Sequence, residues 1–159
     1  MSDLARPGNP RSTASIAGHP IHPMLISFPI VLFVATLVCD IVFVSNGNPD
    51  WANAAEWLVG LGVITGLLAA IFGAVDLLGD RRIRALWVAW VHAGLNLLAV
   101  LISLYSWVIR HNAADQGAVQ PTALVLSIIV VLLLLVTGWL GGELVFRHRV
   151  GVSPPGSVY

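Results

Sequence analysis

The 159-residue chain contains no lysine, a single cysteine and only 10% charged residues. Soluble domains carry about 25% charged residues and about 45–50% apolar ones, whereas this chain is 57% apolar. A soluble enzyme, a disordered chain and a nucleic-acid binder are excluded by that balance. Eight arginines against eight acids leave a formal net charge of zero, so no global field steers a polyanion. The lone Cys39 cannot form an intramolecular disulfide and reads as a small buried apolar side chain. HExxH, CxxC, a nucleophile elbow and a phosphate-binding glycine loop are all missing, and no catalytic residue is assigned.

What remains is concentrated. The apolar residues gather into four blocks of at least twenty residues, the length needed to cross about 30 Å of hydrocarbon at about 1.5 Å per residue. Residues 1–20 are polar and rich in Gly, Pro and Ser and read as a flexible arm, with no cleaved signal peptide expected. A membrane domain over residues 21–150 follows, with spans at about 24–44, 54–78, 86–109 and 122–146, and then a short tail over 151–159. Pro23 suits an early helical position, and Pro29, one turn deeper, is expected to kink the first span. SNGNPD reads as a turn with Asp50 as the following cap, and Pro121 as the opener of the fourth span.

Seven of the eight arginines (Arg6, Arg11, Arg81, Arg82, Arg84, Arg147 and Arg149) fall on the side that holds both termini. Only Arg110 lies opposite. The positive-inside bias then predicts cytoplasmic termini in a bacterial inner membrane. Small residues at four-residue spacing (Gly62 and Gly66, Ala69 and Gly73, Ala85, Ala89 and Ala93, Gly138 and Gly142) predict close helix packing. The expected fold is an all-α integral membrane protein, a four-transmembrane-helix bundle built from two repeated hairpins.

An ionisable side chain inside a span costs about 2.5–3.5 kcal/mol, so each one asks for a reason. Asp76, His92 and Glu143 lie towards the terminal side, and His19, His22 and His148 flank that same end. Asp40 and His111 lie towards the other, where Asp40 is expected to make a buried interhelical hydrogen bond or serve a relay. Asn96, four residues from His92, shares its face. His22 and Asp76 are 54 residues apart and His92 and Glu143 are 51 apart, which suggests His, acid, His, acid around an axis along the membrane normal.

Three chemistries suit the cluster. His92 with His22 or His19, and His148 nearby, would hold haem b through axial imidazoles. His22, His92, Asp76 and Glu143 would hold a divalent ion. Without metal, the acids and histidines form a proton relay. Bland roles stand beside these: Asp76 pairing with Arg81 or Arg82, Glu143 with Arg147, His22 as a turn residue, and His92 bonded to Asn96.

The opening GHPIHPMLISFPI (Gly18 to Ile30), Asp40, the VDLLG end of span two, His92 with Asn96, and the closing GWLGGELVFRHRVGV (Gly138 to Val152) resemble a family of small bacterial membrane proteins, domain of unknown function 2231. The resemblance covers about residues 16–152. It implies a four-helix membrane domain without assigned activity and marks Gly18, His19, Pro20, His22, Pro23, Asp40, Asp76, His92, Asn96, Gly141, Gly142 and His148 as motif positions. Some relatives carry a Rieske-type iron–sulfur domain, which implies a redox setting. Here such a cluster would have to come from a partner, because the chain has no cysteine pair. The sequence therefore points to a haem- or metal-binding electron-transfer protein, with a transport or proton-conducting protein, or a cofactor-free subunit of a membrane complex, as alternatives.

Overall fold

The computed structural model describes residues 8–152. A short antiparallel hairpin, β1 (Ser15–Ile16) and β2 (His19–Pro20), leads into α1 (Ile21–Leu25) and α2 (Ser27–Asn46). The long α3 (Pro49–Gly79), the single turn α4 (Arg81–Arg84), α5 (Trp87–His111) and α6 (Gln116–Gly142) follow, and α6 ends in a π-helical turn over Glu143–Arg147. Four helical segments are long and apolar enough to cross a membrane: Ile21–Asn46, Pro49–Gly79, Trp87–His111 and Val119–Arg147.

Local chemistry sets the boundaries. Pro29 has no N–H to donate to the Leu25 carbonyl, and its ring crowds that oxygen. The first span accordingly breaks at Ile26, between α1 and α2. Gly47 ends α2 in the left-handed conformation at φ 68°. Asn48, rather than Asp50, caps α3 by accepting from the Asp50 N–H, with Pro49 in the first turn. Asp115 caps α6 through the Gly117 N–H, so that helix starts earlier than expected and Pro121 lies inside it.

Polar side chains are buried beside the apolar core. Thr36, Asp40, Ser103, Ser106, Arg110, Gln120, Ser127 and Thr137 are buried, while leucines, isoleucines and valines cover the outer faces. A water-soluble bundle shows the reverse pattern. Lipid offers no hydrophobic drive between helices, so apolar side chains face it while small and polar groups pack inside. Trp87, Trp90 and Trp139 near one end, and Trp57 and Tyr105 near the other, are exposed as interfacial anchors would be.

Close approach falls at particular glycines. A Cβ at Gly62 would sit 2.5 Å from the Phe33 ring, and one at Gly66 would sit 3.0 Å from Val100. Gly138 faces open space and Gly142 meets only Phe146, so the packing glycine of α6 is Gly141.

Two hairpins repeat. Helix α2 packs on α3 and α6, and α5 packs on α6 and α3. A shift of 70 residues carries α2 onto α5, placing Phe33 on Ser103, Thr36 on Ser106 and Asp40 on Arg110, all buried. A shift of 68 carries α3 onto α6, placing Ala55 on Ala123, Val59 on Ser127 and Ala69 on Thr137, again all buried. The two hairpins therefore share one pattern of buried positions under these shifts. The 68-residue shift takes Asp76 to Leu144 and not to Glu143, so the expected repeat of histidine and acid does not keep this register.

The described part of the polar N-terminal segment makes hydrogen bonds to the end of α3 and to Asp80. Asp76 Oδ1 accepts from the Ser12 hydroxyl at 2.9 Å and from the Thr13 and Ala14 N–H groups at 2.8 Å each. The Thr13 hydroxyl donates to the Val75 carbonyl, the Arg11 N–H to Asp80, and the Arg82 guanidinium to the Gly8 carbonyl. Gly151 N–H donates to the Pro10 carbonyl, which brings both ends of the described chain together. Residues 1–7 of the expected arm, with Arg6, lie outside the described residues.

Candidate functional site

Of the histidines, His22 and His92 meet. Helix α1 carries His22 and the first turns of α5 carry His92. Their ring centres are 6.4 Å apart and their planes are nearly perpendicular at 86°. The 70-residue offset that pairs buried positions of α2 with those of α5 also pairs these two residues.

Their surroundings repeat as well. His22 Nδ1 lies 2.8 Å from the Ala69 carbonyl oxygen, and His92 Nδ1 lies 3.0 Å from that of Thr137. A carbonyl only accepts, so in the neutral ring Nδ1 carries the proton and Nε2 the lone pair. One helical turn beyond each carbonyl stands a glycine. A Cβ at Gly73 would come within 3.0 Å of the His22 ring, and one at Gly141 within 3.2 Å of the His92 ring. Each imidazole is thus seated on a glycine and aimed by a backbone carbonyl of the neighbouring helix. Neither Nε2 makes a hydrogen bond among the described residues.

The other expected members lie elsewhere. Asp76 is occupied by residues 12–14, not by Arg81 or Arg82. Glu143 pairs with Arg147 at 2.8 Å across one turn. Among the described residues no group of three or more His, Cys, Asp or Glu side chains is placed to hold a metal ion. The four-ligand set His22, His92, Asp76 and Glu143 is therefore not assembled. His19 has its Nδ1 3.0 Å from the Ala17 carbonyl inside the hairpin turn, and the ring contact with His92 belongs to His22. His148 closes the π-helical turn through its backbone N–H, and its imidazole makes no contact with the pair among the described residues. Asn96 donates to the backbone carbonyl of His92, not to its ring.

A second polar centre lies nearer the other end of the bundle. Arg110 NH1 and NH2 donate to the two carboxylate oxygens of Asp40 at 2.8 and 2.7 Å, and both side chains are fully buried. The Ser127 hydroxyl donates to Asp40 Oδ2 at 2.6 Å, and Arg110 Nε donates to the Ser106 hydroxyl at 3.2 Å. The Gln120 amide reaches the Asp40 carbonyl. A forked guanidinium–carboxylate pair satisfies both charges with directed bonds, which is what makes two ions tolerable in this interior. Asp40 was expected to be buried and interhelical. Arg110, counted as a loop charge on the far side, was not expected here. The sequence signal that would have found it is the register: Asp40 and Arg110 stand 70 residues apart, as His22 and His92 do.

Removing Arg110 from the count of exposed charges leaves every exposed arginine among the described residues (Arg11, Arg81, Arg82, Arg84, Arg147 and Arg149) at the terminal end. Asp80, outside the spans, has its carboxyl held well below the ordinary range, mainly by the Arg82 guanidinium and further by the Arg11 N–H.

Residues 18–154 match the family model described as predicted membrane protein (DUF2231). The chain belongs to this family. No curated protein and no solved structure matches it. Membership and four candidate spans make this a multi-pass membrane protein of the family, in contact with a lipid bilayer.

Proposed function

We propose that this family member is a non-catalytic membrane protein that binds haem iron or a metal ion through His22 and His92 and serves electron transfer. The observation that carries the reading is the paired imidazoles, each with Nδ1 on a backbone carbonyl and Nε2 left over. Metal-ligating histidines almost always donate their second ring N–H to such an acceptor, which fixes the tautomer and raises ligand basicity. Haem needs only two protein ligands, its other four positions being filled by the macrocycle. Two imidazoles separated by 6.4 Å are compatible with that count. The site lies in the third of the bundle next to the exposed arginines. Under the positive-inside bias this supports a bacterial inner-membrane location with both termini cytoplasmic. An iron–sulfur or other membrane redox partner, as the family resemblance implies, would exchange electrons at that face.

The ion pair speaks against the transport alternative, since Asp40 is enclosed by Arg110 and Ser127 rather than set in an open path. Two measurements on the purified protein in nanodiscs test the proposal. Expression with added haem is followed by an absorption spectrum, and the same sample is analysed for metal. A Soret band or stoichiometric metal, lost in His22→Ala and His92→Ala, is expected. Absence of both, or retention in the variants, sinks it.

A further inference from the structure

Which ligand the pair takes can be argued from what surrounds it. We propose that His22 and His92 form a two-coordinate site for a monovalent soft cation of the copper(I) class. This rests on the reading that the pair binds a metal or haem, and it chooses among the ligands that reading allows.

Donor number comes first. The structure brings two imidazoles together and no third His, Cys, Asp or Glu among the described residues. Zinc and other divalent ions of this row take four or more ligands. A closed-shell monovalent ion such as copper(I) is content with two nitrogens in line. Imidazole is an accepted copper ligand, and Cys39, which would compete as a softer donor, lies beside Asp40 in the other centre.

Distance comes second. Nitrogens about 2 Å from a shared metal, with each ring centre about 1 Å further on, put two opposed imidazoles with centres about 6 Å apart. The separation here is 6.4 Å. The ring spacing thus suits a single ion shared by the two imidazoles. Gly73 and Gly141 leave room for the rings, since a Cβ at either would come within 3.0 or 3.2 Å of one of them.

Charge comes third. The cost of taking an ion out of water grows as the square of its charge, so a divalent ion costs about four times a monovalent one of equal size. Carboxylates usually offset that cost. Here Asp76 is spent on residues 12–14 and Glu143 on Arg147, leaving two neutral ligands. Neutral ligands and a single charge are the combination this part of the membrane tolerates best.

The test is anaerobic titration of the full chain in nanodiscs with copper(I), read by competition against a chromogenic copper(I) chelator, with zinc(II) and iron(II) titrated in parallel. One copper per chain is expected. Affinity should fall at least about 100-fold in His22→Ala and in His92→Ala, and about 10-fold in Gly73→Ala, which displaces the ring without removing it. X-ray absorption of the loaded protein should show two nitrogen neighbours. Helical circular dichroism of His92→Gln and of His22→Gln separates lost binding from lost fold. Equal affinity for zinc, or copper uptake unchanged in both histidine variants, overturns the inference. A Soret band that depends on the same histidines overturns it while leaving the haem-or-metal reading standing. Failure of every metal and of haem removes both.

Discussion

Two pairs of residues share one 70-residue offset and lie 18 positions apart along the chain: His22 with His92, and Asp40 with Arg110. The second pair has spent nearly everything it has. Asp40 receives both guanidinium nitrogens and a serine hydroxyl, and Arg110 adds a bond to Ser106. The first pair uses one nitrogen of each ring for orientation and leaves the other unbonded. One pair carries opposite charges that complete each other and acts as a structural bolt. The other has two identical residues, which cannot complete each other in this way, and each ring has one nitrogen without a hydrogen bond among the described residues. Whether a buried polar pair is architecture or site is decided by whether its bonds are used up within the protein.

The largest expected effect tests the bolt. Arg110→Ala leaves a buried carboxylate without its counter-charge, and loss of one partner of such a pair costs about 3–5 kcal/mol. Thermal unfolding in detergent should fall sharply for Arg110→Ala and for Asp40→Ala, and less for the double variant Asp40→Leu with Arg110→Leu. His92→Ala, by contrast, should leave the melting temperature nearly unchanged. If His92→Ala destabilises as much as Arg110→Ala, the division between bolt and site is wrong.

Packing between the two centres gives an intermediate effect. Gly62→Ala places a methyl 2.5 Å from the Phe33 ring, and overpacking of this kind costs about 1–3 kcal/mol. Gly138→Ala meets open space and should be neutral or slightly stabilising, since alanine is the better helix former. Reversal of that order would show that the glycine contacts are misassigned.

The smallest effects concern the segment that leads to His22. Asp76→Asn keeps the shape but lowers the acceptor strength of Oδ1, weakening bonds to charged groups worth about 1.5–3 kcal/mol each. Residues 8–20 should then exchange amide hydrogen faster while α5 is unaffected. Equal exchange in both proteins would mean the segment is held by other contacts. Asp80 adds a pH dependence. Its folded carboxyl titrates below the ordinary value of 3.8, so its contribution is fully present above that value and declines only as pH falls below it. Exchange of residues 8–11 should be flat from pH 8 to pH 5 once corrected for intrinsic rates, and a rise near neutral pH would contradict the assignment.

Much of this is written locally. Four apolar blocks and sparse charge specify four spans, because burying about twenty apolar residues in lipid needs no knowledge of neighbours. Pro29 specifies the break before it, because a missing N–H and a ring clash act within one turn. The importance of the histidines near the terminal end is also visible, since an imidazole in an apolar run is costly wherever it ends up. Which histidine meets which could not be read this way. His19 and His22 are separated by a single turn, and only the hairpin and the seat on Gly73 bring His22 to His92. The fate of the acids was equally out of reach: Asp76 was expected to meet metal or arginine and meets backbone N–H groups from 62 residues and more away.

The sequence by itself determined a membrane protein of four spans, an arginine-rich end and a short set of polar residues that demand partners. Tertiary structure decided who those partners are. Arg110 could be read as a loop charge until the rotation of α5 turned it inward onto Asp40, and two histidines became a pair only when the helices that carry them came together. Composition fixes the solvent a helix can tolerate, residue by residue. Helix rotation and register, set by the packing of all four helices together, fix which side chains share a space.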